Sequence, residues 1–157
     1  MKTSVLLLAA LLASGAGAKT VYVNCQMDSY EGHDGSTPEL AVKTLVDGYN
    51  KATSNGDSIE VAPGVYNEGL ANVNHWWGLS RIKLGRKLYI YASGSAEETI
   101  IEGSRGEDRV KCIMAEGPNA AQSIIKGFTL RNGGTAGGNG AGILNGTAVD
   151  CVITGCC

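Results

Sequence analysis

Apolar and polar residues alternate with a period of two in Ser58-Ile59-Glu60-Val61, and Asn55-Gly56 and Pro63-Gly64 bound the burst with turn chemistry. Gly56–Tyr66 is therefore predicted to be a turn, a half-buried strand and a second turn in succession. Thr20 to Cys25, with Val21 and Val23 in phase, predicts an edge strand before it. Leu88-Tyr89-Ile90-Tyr91 predicts another strand after it, ending at Ser93-Gly94. Between the first two strands the period changes. Thr37-Pro38-Glu39 carries a hydroxyl N-cap, a proline at the first helical position and an acid in the first turn. Ala41, Leu45, Tyr49 and Ala52, flanked by Val42 and Val46, form one apolar stripe. The pattern predicts a single helix from Thr37 to about Ser54, stopped by Asn55-Gly56, with an apolar face that needs a surface to cover.

From residue 99 onward a motif recurs. Thr99-Ile100-Ile101-Glu102-Gly103 is echoed by Ser123-Ile124-Ile125-Lys126-Gly127 and more loosely by Thr147-Ala148-Val149-Asp150-Cys151, a constant step of 24 residues. A fixed step between about 20 and 50 residues marks a solenoid, in which a repeat buries its apolar face only when a neighbour stacks on it. No segment after Asn55 has helical periodicity, so the coils are predicted to be strands alone. Strands stack about 4.8 Å apart, which would place Ile100 under Ile124 and Ile101 under Ile125. Asn132-Gly133, Asn139-Gly140 and Asn145-Gly146 would supply the corners. A leucine-rich repeat fits Ile125-x-x-Phe128-x-Leu130 but fails one repeat earlier, where Ser104 stands at the Phe128 position.

Composition adds a compartment. Lys2, the apolar run Val5 to Leu12 and Ser14-Gly15-Ala16-Gly17-Ala18 have the order of a secretory signal peptide, residues 1–18, leaving a mature chain of 19–157 that begins at Lys19. The apolar run is shorter than the roughly 20 residues that span a bilayer, so no transmembrane segment is expected. Cys25 does not follow the small residues directly, against an acylated start. A net charge of −2 with mixed signs leaves no footprint for nucleic acid. The five cysteines suit an oxidising compartment but are too scattered for a disulfide framework, and an odd count leaves one unpaired. Cys112 and Cys151 read as small buried hydrophobes among β-branched neighbours.

Candidate chemistry is sparse. Without a Cys-x-x-Cys, and with His33 and His75 far from the cysteines in sequence, no metal site is expected. The acids of the loop from Asp28 to Asp34 suit calcium, yet the spacing is not that of an EF-hand, and a solvated loop is the commoner outcome. Asn72 to Gly78 reads as a loop insertion holding the two tryptophans, Trp76 and Trp77. Their faces suit stacking on sugar rings, although loop tryptophans more often pack over a neighbouring core. His75 has no nucleophile or acid spaced to it. Gly133 to Gly142 lacks the lysine of a P-loop and reads as a corner or outer loop, and Asn145-Gly146-Thr147 matches the N-glycosylation sequon. Glu102, Lys126 and Asp150 share one position of the repeat and would form an outward row of alternating charge. A solvent-exposed ladder and a catalytic row are both readings of it, the ladder the commoner.

Gly56 to Glu68, in the form Gly-Asp-x-Ile-x-Val-Ala-Pro-Gly-x-Tyr-x-Glu, followed by Thr99-Ile100-Ile101-x-Gly103 and by Ile125-x-Gly-Phe-Thr-Leu-x-Asn-Gly133, resembles the N-terminal part of secreted right-handed parallel β-helix proteins. That group includes pectate-lyase-like proteins, polymorphic outer membrane proteins and related bacterial adhesins. Gly137-Gly138-Asn139-Gly140-Ala141-Gly142-Ile143 is similar to the Gly-Gly-x-Ile/Leu motif of the second. The resemblance, running from Thr20 to the C-terminus, implies an all-β solenoid: a right-handed single-stranded parallel β-helix with an N-terminal capping α-helix. It implies an exported protein at the bacterial surface or outside the cell, adhesin-like or structural, contacting a polysaccharide or a host or cell-surface ligand. The alternative is the first part of a polysaccharide lyase or glycoside hydrolase whose active site lies in later coils, since the scaffold hosts both. The stack would stop without a cap after Val149 to Thr154, as a fragment would, with an open end able to self-associate.

Overall fold

The computed structural model describes residues 17–28, 32–73, 78–135 and 140–157. Residues 1–16 of the leader pattern, the tip of the acidic loop, and His75, Trp76 and Trp77 lie outside them. The fold is mostly β-strand in parallel sheets, with one α-helix among the described residues. In chain order the strands are β1 (Thr20–Val23), β2 (Ser58–Val61), β3 (Gly64–Tyr66), β4 (Ala71–Val73), β5 (Gly78–Leu84), β6 (Tyr89–Ala92) and β7 (Thr99–Glu102). They continue with β8 (Val110–Ala115), β9 (Ile124–Lys126), β10 (Thr129–Arg131), β11 (Ile143–Leu144), β12 (Thr147–Val149) and β13 (Val152–Thr154).

Three sheets result. The first has the order β1-β2-β6-β9-β12, the second β3-β7-β10-β13 and the third β4-β5-β8-β11. From β6 onward the chain visits the first, second and third sheets in turn and then begins again. Neighbours within each sheet run parallel, apart from the antiparallel pair β4 and β5. That pair corrects the expected loop at Asn72 to Gly78: its two ends are strands, with Ala71 opposite Ser80 and Val73 opposite Gly78.

The core is built from columns that the register stacks. Val21, Ile59, Ile90 and Ile125 follow one another across the first sheet, and Tyr66, Ile101 and Leu130 across the second, all buried. Ile82 and Ile113 meet in the third. The 24-residue stacking is overturned. Ile100 and Ile101 lie in the second sheet opposite Thr129 and Leu130, whereas Ile124 and Ile125 lie in the first opposite Tyr89 and Ile90. The steps along the first sheet, Ser58 to Tyr89 to Ile124 to Thr147, are 31, 35 and 23 residues. Connections of unequal length between strands abolish a constant step. The corners do behave as expected at Asn132 (φ 55°), Asn145 (φ 58°) and Gly146 (φ 90°), where the chain takes the left-handed conformation that Asn and Gly tolerate.

The single helix from Thr37 to Ser54 is also corrected. Thr37 caps only a 3-10 turn, Pro38–Leu40, and Ala41 leaves helical geometry with ψ 139°. Val42 then pairs with the free edge of β1: its N–H donates to Tyr22 O at 3.0 Å, and Asn24 N donates to its carbonyl at 2.9 Å. Thr44 starts a second helix, α1 (Leu45–Lys51), its Oγ1 accepting from Asp47 N at 3.1 Å and donating to Asp47 Oδ2 at 2.6 Å. The backbone of β1 offered ladder bonds that a continuous helix would have left unmade. α1 packs against β1 and β5, and Leu45 and Ala52 are buried there. The apolar stripe is thus used, in two pieces.

Candidate functional site

Side chains on the outward face of the first sheet stack as regularly as the core does. Alternation within β1, β2, β6 and β9 turns Tyr22, Glu60, Tyr91 and Lys126 out, and the register places them side by side in that order. A second outward row runs Ser58, Tyr89, Ile124 and Thr147. Tyr89 and Tyr91, two residues apart on β6, stack with ring centroids 5.0 Å apart and planes inclined by 26°. Tyr91 donates its hydroxyl to Glu60 Oε2 at 2.7 Å. Burial, and secondarily that bond to a carboxylate, raise the Tyr91 phenol well above its ordinary value, so it stays protonated and donating.

Beside the stacked tyrosines, where the first sheet turns toward the second, lies an open groove of about 430 Å³. Tyr89 and Tyr91 form one side, the loop at Gly94-Ser95-Ala96 the other, and Ala92 and Gly127 also line it. Lys126 and Asp150 bring one cation and one acid to it. Asp150 sits just past β12 with φ 51°, a corner residue. The volume is within the usual range for a small-molecule site. Aromatic faces, a cation, a carboxylate and a hydroxyl can stack against a ring and hydrogen-bond its substituents. Neither His nor Cys lines the groove, and Ser95 Oγ is bonded to Glu98 Oε2 at 3.1 Å.

The structure divides the charge row. Lys126 and Asp150 do share the groove, but Glu102 belongs to the second sheet, opposite Arg131. Arg131 donates Nε to Glu102 Oε1 at 3.1 Å and Nη2 to Oε2 at 3.0 Å, and Asn132 Nδ2 donates to Oε1 at 2.9 Å. The guanidinium holds the Glu102 carboxyl below the usual carboxylate range. Arg81 of β5 donates to the Glu102 carbonyl at 2.7 Å and to Gly69 O at 3.2 Å, tying the third sheet to the second. Glu102 is thereby spent on holding strands together.

A smaller cavity of about 250 Å³ lies by Cys25, Lys43, Tyr66 and Glu68. Its polar groups serve each other: Lys43 Nζ meets Glu68 Oε2 at 2.9 Å, and the Tyr66 hydroxyl donates to Ala62 O at 2.7 Å. In the acidic loop, Asp34 Oδ1 accepts from Ser36 N at 2.9 Å. Among the described residues no three His, Cys, Asp or Glu side chains converge on a metal position. No described helix is long and apolar enough to cross a membrane.

Tyr22, Glu60, Tyr89 and Tyr91 did not emerge as site residues from the sequence. Tyr89-x-Tyr91 in one strand was a usable signal, because residues two apart share a face. Their partners on other strands had no such signal. No protein-family model matches this chain, nor does any curated protein or solved structure.

Proposed function

We propose that the chain forms an exported right-handed parallel β-helix module that works outside the cell in binding, contacting a polysaccharide or cell-surface glycan along the outward face of its first sheet. The observation that carries this reading is the Tyr22–Glu60–Tyr91–Lys126 row, with Tyr89 stacked on Tyr91 beside an open groove. Sugar rings present C–H faces that aromatic rings cover and hydroxyls that carboxylates, ammonium groups and phenols bond. An outward face that continues across several strands suits an extended polymer better than a single small molecule. The parallel sheets visited in fixed order support the coil, and Lys2, Val5 to Leu12 and Ser14 to Ala18 support export.

Calorimetric titration with a panel of neutral and acidic oligosaccharides tests it, with product analysis on the same samples. Binding without turnover is expected, with Tyr91→Ala and Tyr89→Ala each weakening it about tenfold and Lys126→Ala less. Depolymerisation of any of the sugars, or affinity unchanged in both tyrosine variants, would refute the reading.

A further inference from the structure

The glycan reading gives the cysteines no part, yet two of them bond to the same stretch of chain inside the fold. Cys112, on β8, has no solvent exposure, and Cys156 follows β13. Both thiols lie along one stretch of β10 and its exit. Cys112 Sγ donates to Arg131 O at 3.4 Å, while Cys156 Sγ donates to Leu130 O at 3.6 Å and accepts from Gly133 N at 3.4 Å. Burial first, and the neighbouring Cys156 second, raise the Cys112 thiol above its ordinary value. Two glycines keep the space around them clear. A Cβ on Gly133 would stand 3.3 Å from Cys112 Sγ, and one on Gly142 would stand 3.3 Å from Cys156 Sγ.

Cys25 and Cys151 lie elsewhere, while Cys157 adjoins Cys156, its N–H donating to Gly133 O at 3.0 Å. Cys151 Sγ donates to Ile125 O at 3.5 Å and Val149 O at 3.2 Å, on the first sheet. Cys25 lies against Gly64 and Gln26, near the β1 end of the stack, and Cys157 is exposed.

We infer that Cys112 and Cys156 are an oxidation site, joined as an intramolecular disulfide by exchange with a low-molecular-weight or protein disulfide, and that the bond clamps the strand at the β13 edge to β8. The exchange balances in two steps. The half-exposed Cys156, as thiolate, attacks one sulfur of the external disulfide; that bond breaks, one external thiol leaves, and Cys156 becomes a mixed disulfide. Cys112, as thiolate, then attacks Cys156 Sγ and expels the second external thiol. Two protein thiols are oxidised, and one external disulfide is reduced to two thiols, which take up the two protons. Burial raises the Cys112 thiol above its ordinary value, so the second step is the slow one and is helped by opening of the edge. That edge is where opening is easiest, because Val152 and Ile153 on β13 are 49% and 50% exposed. A cross-link between residues 112 and 156 stabilises chiefly by restricting the unfolded chain.

The test is disulfide mapping of the full chain after equilibration with oxidised glutathione, with unreacted thiols alkylated under denaturing conditions and the digest analysed unreduced by mass spectrometry. One linked peptide pair holding Cys112 and Cys156 is expected, with Cys25 and Cys151 alkylated. Oxidation should raise the thermal midpoint by about 10 °C in the native sequence and leave it unchanged in Cys156→Ser, each compared with its own reduced form. Cys112 recovered alkylated, Cys112 joined to another cysteine, a Cys156–Cys157 link, or glutathione retained on Cys156 would each overturn the inference.

Discussion

Two isoleucines in one column measure how far burial falls toward the β13 edge. Tyr66, Ile101, Leu130 and Ile153 lie side by side across the second sheet; Ile101 has no exposure and Ile153 is 50% exposed. Ile101→Ala removes three buried carbons between Tyr66 and Leu130. Both neighbours are held by their own ladders, so the space cannot collapse, and transfer and cavity terms add to about 3–4 kcal/mol. At Ile153 the same truncation loses about half the transfer term, and the vacated volume opens to water, so about 1 kcal/mol is expected. Urea unfolding of both variants is the assay, read as a fall in midpoint at constant slope. The loss for Ile101→Ala should be at least about twice that for Ile153→Ala. Equal losses, or a loss at Ile101 of under about 1.5 kcal/mol, would refute the column.

Gly48→Ala should destabilise although alanine is favoured over glycine in a helix by about 1 kcal/mol, because its Cβ would stand 2.5 Å from Val23 Cγ2. Thermal midpoints should show the loss, and in a Val23→Ala background the sign should reverse. Glu102 is held below its ordinary value of 4.5 by Arg131, so its contribution to stability is complete above that pH and is lost as the pH falls through the lower folded value. Its side chain is 23% exposed, and screening limits the term to about 1 kcal/mol. Glu102→Gln should therefore flatten stability between about pH 5 and pH 3 in acid titrations followed by circular dichroism, while lowering it at pH 7.

The parts of the fold legible in the sequence were those that local pattern controls. β1, β2 and β6 came from period-two alternation, and the corners at Asn132 and Asn145 from residues that tolerate a left-handed backbone. The helix was legible in its apolar stripe but not in its break at Ala41, since what draws Val42 out is the free backbone of β1, over 15 residues earlier in the chain. The repeated five-residue motif misled for a related reason. A hydroxyl, two apolar residues, a charge and a small residue suit any short strand that ends at a corner, so Thr99-Ile100-Ile101 and Ser123-Ile124-Ile125 look alike while belonging to different sheets. For the groove, Tyr89 and Tyr91 were visible as a pair on one strand, whereas Glu60, Lys126 and Asp150 are brought to them only by pairing.

The sequence by itself determined that this chain is built of short strands between Gly- and Asn-rich turns, and which side of each strand is apolar. The tertiary structure decided which strand lies on which, that Glu102 meets Arg131 and not Lys126, and that two tyrosines stand beside a groove holding a cation and an acid. The physical reason is that ladder bonds between strands are made by backbone groups common to every residue. Register is chosen by the side chains that must be buried together and by the lengths of the connections between them, and neither is a property of any one stretch of sequence.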